Sequence, residues 1–145
     1  MEKLIFDSGV KEYELGAGVL RFNPSDPNVY ARFMDAIPKI QNIEDEMVKK
    51  GKELEDNSLA LNLMRDADAQ IKAELNDVFA GNDFDAMLEG VNLMAVAGND
   101  ERVITNLIDA LSPVIEIGVK HFSDTAVGTA RQNREQRRAA LRAQK

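Results

Sequence analysis

The sequence predicts an α+β, mostly α fold. A small N-terminal antiparallel β-hairpin packs on a bundle of about four to five helices, and a basic helical tail follows. Three observations carry this. Residues 10–23 read as a hairpin, with apolar and polar residues alternating at a period of two on either side of Gly16-Ala17-Gly18. From residue 27 onward apolar residues recur every three or four positions. The last fifteen residues hold six basic side chains against one acid, Glu135.

In the hairpin, Tyr13 and Leu15 alternate with acids, and Leu20 and Phe22 flank Arg21. Each pair therefore falls on one face. The glycine-rich centre supplies positive φ for the turn. Leu4-Ile5-Phe6 is a candidate third strand, with Ser8-Gly9 as its connecting turn. Two strands alone are marginally stable, so the sheet needs a cover.

Asp26-Pro27 reads as an N-cap followed by a first-turn proline. The next stripe is Tyr30, Phe33, Met34, Ile37, Ile40, Ile43, Met47 and Leu54. Pro38 lies within it and predicts a break or kink, with a second helix from Pro38 to about Leu54. Asp56-Asn57-Ser58 supplies a cap for a helix over about Leu59–Phe79, with Ala60, Met64, Ala67, Ile71, Leu75, Val78 and Phe79 as its stripe and Gly81 as its stop. Asn82-Asp83 caps a short helix ended by Gly90, and Val91–Val96 is a compact apolar stretch. Asn99-Asp100 is read as the cap of the last core helix, which is the most apolar segment, runs to Phe122 and bends at Pro113. Ser123–Gly128 reads as a loop. It divides the chain into a body, 1–128, and a basic tail, 129–145. The tail has good helix formers but few apolar anchors beyond Leu141, a composition suited to folding on binding.

Composition excludes most chemistry. The 145 residues include no cysteine and no tryptophan, and His121 is the one histidine. Disulfides, thiolate metal sites and multi-histidine centres have no material, and the expectation is no metal, no cofactor and no enzyme activity. His121 sits near the expected end of an apolar helix, a place for contact with last-turn carbonyls. Asn82-Asp83-Phe84-Asp85 lacks the glycine and glutamate of a calcium loop. Glu44, Asp45, Glu46 and Glu53, Glu55, Asp56, interleaved with Lys49, Lys50 and Lys52, read as a solvated face. The apolar stretch at Leu4 is three residues long, too short for a signal-peptide core, and no stretch reaches a membrane span. A cytoplasmic protein without membrane attachment is expected.

The net charge of −7 conceals a polarity: residues 131–145 carry +5 and the other 130 residues −12. Arg131, Arg134, Arg138 and Arg142 share a helical face, a geometry suited to phosphate or to an acidic surface, including that of another copy. No aromatic follows Phe122 for base stacking, and the acidic body opposes a duplex, so nucleic acid is the weaker expectation. Methionine suits both core filling and adaptable binding surfaces. Met34, Met47 and Met64, with Arg134, Arg137 and Arg138, are the candidate partner-binding residues.

Arg21-Phe22-Asn23-Pro24-Ser25-Asp26 after a hairpin, then Tyr30-Ala31-Arg32-Phe33, Gly90-Val91-Asn92-Leu93, Leu111-Ser112-Pro113-Val114-Ile115 and the closing Asn133-Arg134-Glu135-Gln136-Arg137-Arg138 form a layout. It resembles the small tail assembly chaperones of long-tailed phages and prophages of Gram-positive bacteria. The resemblance spans most of the chain in arrangement and short phrases, none of them specific alone. It implies a non-enzymatic role in the bacterial host cytoplasm: coating the tape-measure protein and helping recruit major tail protein, with self-association as a further candidate property. It also implies that a longer, frameshifted form can exist. The alternative reading is a phage-encoded acidic inhibitor of a host defence protein, presenting carboxylates to a basic groove.

Overall fold

The computed structural model describes residues 1–143, and the side chains of all of these but 126–133 and 143. Two strands, β1 (Lys11–Leu15) and β2 (Gly18–Phe22), precede four helices: α1 (Pro27–Lys52), α2 (Asn57–Val78), α3 (Phe84–Met87) and α4 (Val103–Ala143). The α+β, mostly α architecture expected from the sequence is the one observed.

The hairpin pairs Lys11 with Phe22 and Leu15 with Gly18, leaving Gly16-Ala17 as a two-residue loop. Gly16 has φ of 58° while Ala17 stays at negative φ, the pattern of a II′ turn. A side chain at residue 16 would also strike the Met87 carbonyl, at 2.7 Å from its Cβ. The tip is pinned there, since the Ala17 N–H donates to that same carbonyl at 3.2 Å. One face of the hairpin, through Leu20 and Phe22, enters the core as the alternation predicts. The third strand does not form: the sheet has two strands, and Leu4, Ile5 and Phe6 lie in solvent. Residues 7–10 are instead held by local bonds, which leave the preceding segment unpaired.

Asp26 caps α1 by accepting from the Asn28 N–H, with Pro27 in the first turn. The expected break at Pro38 is absent, and α1 is one helix of 26 residues. Pro38 and Met34, four residues back, both face solvent, so the Met34 carbonyl deprived of its N–H partner is open to water. The buried stripe of α1 is Val29, Phe33, Ala36, Ile40 and Met47. Tyr30 and Met34, placed on that stripe by the sequence, are exposed. The buried stripe is thus rotated from the expected one, with Val29 and Ala36 in place of Tyr30 and Met34.

Asp56 caps α2, which packs antiparallel-neighbour fashion on α1 through Ala67, Ile71, Leu75 and Val78. The Arg32 guanidinium donates from Nε to the Val78 carbonyl at 3.1 Å, satisfying an orphan acceptor at the end of α2. Phe79 centres an aromatic cluster. It meets Phe22 edge-on at 4.8 Å between centroids, with Phe84 at 5.6 Å and Phe33 at 6.5 Å.

Two expectations for the last helix fail. Asn99-Asp100 does not cap it; Asp100 sits at φ 64° in a preceding turn, and α4 begins at Val103. Its first N–H groups donate instead to the loop's own carbonyls, Val103 to Ala95 and Ile104 to Leu93. Nor does Ser123–Gly128 form a loop: α4 runs 41 residues to Ala143, with Pro113 inside it. A packed segment has already met the cost of nucleation, so each further residue adds a bond and a Gly or Thr is tolerated.

Candidate functional site

The structure separates the six expected partner-binding residues into three places. Met47, 8% exposed, and Met64, 41% exposed, converge between the end of α1 and the start of α2. With Val48, Gly51, Ala60 and Leu63 they line an open, largely apolar groove of about 280 Å³. Lys52 and Arg102 stand at its edge. Met47 lines the groove and also belongs to the core. Gly51 keeps one wall open, since nothing lies within 4 Å of where its Cβ would be. A second opening adjoins across Met47 and Leu63, with Glu46, Lys50, Asp66 and Gln70 at its rim. Met34, 50% exposed, belongs to neither. It lies thirteen positions before Met47, about 20 Å along α1.

Arg134, Arg137 and Arg138 are exposed on α4, far in sequence from its packed part. The spacing does place Arg134, Arg138 and Arg142 on one helical face. Among the described residues, no salt bridge involves any of them. The side chain of Arg131 and the whole of Lys145 lie outside the described residues. From Lys120 onward every described side chain, 120–125 and 134–142, is exposed.

A buried ion cluster escaped the sequence reading. The Lys72 ammonium, buried on α2, donates to Asp85 at 2.6 Å, to Asp68 at 3.0 Å and to the Val91 carbonyl at 2.9 Å. Asp68 accepts in turn from the Leu93 N–H at 2.8 Å. Burial by itself would lower the lysine's pKa; the hydrogen bonds and charges of Asp85 and Asp68 outweigh it and raise the pKa above its ordinary 10.5. All three donors are used and the charge is held, so this lysine ties α2, α3 and the 91–96 loop together. A nucleophilic or basic lysine has a lowered pKa. The pair Asp68 and Lys72 at i, i+4 was visible in sequence; Asp85 and Val91 reach the ammonium only in the fold.

The remaining polar candidates make contacts within the fold, except His121, which lines a cleft. Asn82 accepts from the Arg21 N–H and donates to the Arg21 carbonyl, both at 2.9 Å, which closes the outer edge of β2. Asp83 caps α3, and Asp85 faces Lys72. Glu44 pairs with Arg102 at 3.0 Å. His121 is not at a helix end, because α4 continues past it. It sits at the rim of a cleft of about 390 Å³ between the hairpin and α4, with Lys11, Tyr13, Pro24, Val114 and Ile117. Gly118 lets α4 approach the chain after β2: a Cβ there would overlap the Pro24 carbonyl. Among the described residues, no group of three or more acids or histidines could hold a metal, and no helix is long and apolar enough to cross a membrane.

Comparison with protein-family models, curated proteins and solved structures finds no match for this chain.

Proposed function

We propose that this protein is a tail assembly chaperone of a long-tailed phage or prophage, acting in the bacterial host cytoplasm. It binds the tape-measure protein and helps recruit major tail protein during tail morphogenesis. The observation that carries the reading is the open apolar groove at Met47 and Met64, set on a strongly acidic, highly charged body. A holding chaperone needs adaptable apolar surface for a client and enough charge to keep the complex dispersed. Met64 supplies the first, as a flexible side chain at the groove rim. The resemblance of the layout to that family is in keeping with the same role, and it contributes no catalytic residues.

Co-expression with the tape-measure protein from the same operon tests it. The expected result is a soluble tape-measure protein that co-elutes with this chain, with Met64→Asp reducing the recovered complex. An insoluble tape-measure protein with no co-eluting complex ends the proposal. Salt-sensitive capture of a basic host protein in place of the tape-measure protein would favour the acidic-inhibitor reading.

A further inference from the structure

We infer that the outer half of α4 docks on a second copy of this chain: Leu141 enters the groove between α1 and α4 of that copy, and Arg138 and Arg142 meet the groove's carboxylates. The contact uses neither Met47 nor Met64 and does not depend on the proposed client.

The arriving helix is one-sided. At about 3.6 residues per turn, Arg134, Arg137, Arg138 and Arg142 fall within about 140° around Leu141. Glu135 stands at the edge of that arc, and the opposite side carries Gln136, Ala139 and Ala140. Leu141 is 64% exposed, and the four arginines are exposed with it. Among the described residues none of these arginines makes a salt bridge.

The groove is the complement of that face. Half-buried Ile37 and Ile108, with buried Ile40 and Ile104, line an opening of about 160 Å³ between α1 and α4. That is room for one branched aliphatic side chain. Its charged lining is Glu44 and Asp109, and the adjoining opening over Gln41 and Glu44 adds Asp45. The surrounding cations are engaged or set apart. Arg102 is bonded to Glu44 at 3.0 Å, and Lys39 turns to Glu74 of α2. Lys49 and Lys52 lie about one and two turns past Asp45, toward the end of α1. Farther along α4, Glu116 and Lys120 offset each other. Asp45 and Asp109 are exposed and make no salt bridge among the described residues. A leucine flanked by arginines thus meets an aliphatic floor flanked by carboxylates.

Leu141 and the groove it fills belong to different copies. Leu141 lies thirty-two positions beyond Asp109 in the same helix, about 48 Å along it. The helix therefore carries a chain's own arginines away from its own groove. Nucleic acid is opposed by the −12 of the body, and no aromatic follows Phe122 for base stacking. Another copy offers that same −12 as an attraction for the +5 of residues 131–145. Helix end and groove are separate surfaces, so a pair of copies still has one of each free, and association continues beyond a dimer.

Sedimentation velocity on nuclease-treated full-length protein, across a concentration series, tests this. At low salt the wild type is expected to grow beyond a dimer, and at high salt the growth recedes. Arg138→Glu with Arg142→Glu reverses the arriving face, and Asp45→Lys with Asp109→Lys reverses the groove. Each pair should weaken association by about tenfold or more. Leu141→Gln should weaken it likewise, from a position far from any core residue. All five positions are exposed, and circular dichroism checks that each variant folds. Mixing the two charge-reversed proteins restores opposite signs at both contacts, so the mixture is expected to associate where neither does alone. A wild type that stays monomeric at every concentration, association indifferent to the substitutions, or a mixture no better than its parts overturns the proposal. A monomeric wild type that instead retards a labelled DNA duplex assigns the arginine face to nucleic acid and overturns it as well.

Discussion

The two halves of α4 share one backbone geometry and are held by different physics. Over 103–119 the helix buries Ile104, Leu107, Leu111 and Ile115 against the rest of the body, and Gly118 brings it against the Pro24 turn. Over 120–125 and 134–142 every side chain is exposed, and the helix there depends on propensity and on continuation from the packed half. The difference teaches that helical sequence and helical stability are separate properties. Amide exchange should divide the helix accordingly, with 103–119 protected to near the global stability and 134–142 exchanging far earlier.

Substitutions sharpen the contrast. The largest effect is expected from Phe79→Ala, which empties the centre of the aromatic cluster. Denaturant titration should register a loss of about 3–5 kcal/mol. Gly118→Ala adds a single carbon where the Pro24 carbonyl already sits, and a loss of about 3 kcal/mol is expected, shown by a lowered midpoint at unchanged slope. An ordinary exposed helical glycine would show the opposite sign.

Lys72→Met removes three hydrogen bonds and leaves Asp68 partly buried without its cation, for an expected loss of about 2 kcal/mol. The same lysine predicts a pH dependence. Its pKa is raised on folding, so its contribution is complete below the unfolded value of 10.5 and declines as pH climbs through the folded value. Wild-type stability should therefore fall in the alkaline range above that point, and the Lys72→Met variant should lack this component of the fall.

Gly51→Ala is expected to stabilise α1 by about 0.5–1 kcal/mol, because its site is open and helical glycine is entropically costly. A gain in midpoint with reduced tape-measure binding would mark the groove as functional space. At the small end, Arg134→Ala or Arg138→Ala should change stability by less than about 0.5 kcal/mol. A larger effect would show that the outer half of α4 is packed in solution.

The legible parts of the fold were those governed by local chemistry. Asp26-Pro27, Asp56 and Asp83 cap the helices predicted from them, because a side-chain acceptor beside orphan N–H groups acts within one turn. Asn99-Asp100 offered the same chemistry and was overruled, since Leu93 and Ala95 deliver carbonyls from a loop whose path depends on Leu93 and Met94 being buried. Pro38 read as a break or kink because sequence does not say which side of a helix meets water. Of the candidate site, the Met47–Met64 juxtaposition required α1 to fold back on α2, and the separate exposure of Met34 is visible only in the folded chain.

By itself, then, the sequence determined the hairpin, the start of three helices, the absence of thiol and multi-histidine chemistry, and the opposition of a −12 body to a +5 end. These depend on period, on nearest neighbours and on composition, all of which are local or additive. Tertiary structure alone decided that Leu4-Ile5-Phe6 stays unpaired, that Asn82 seals one sheet edge and that Lys72 lies among Asp68, Asp85 and Val91. It also decided that α4 continues unbroken. Each of those depends on groups distant in sequence competing for the same hydrogen bond or the same volume, and only the folded chain settles such a competition.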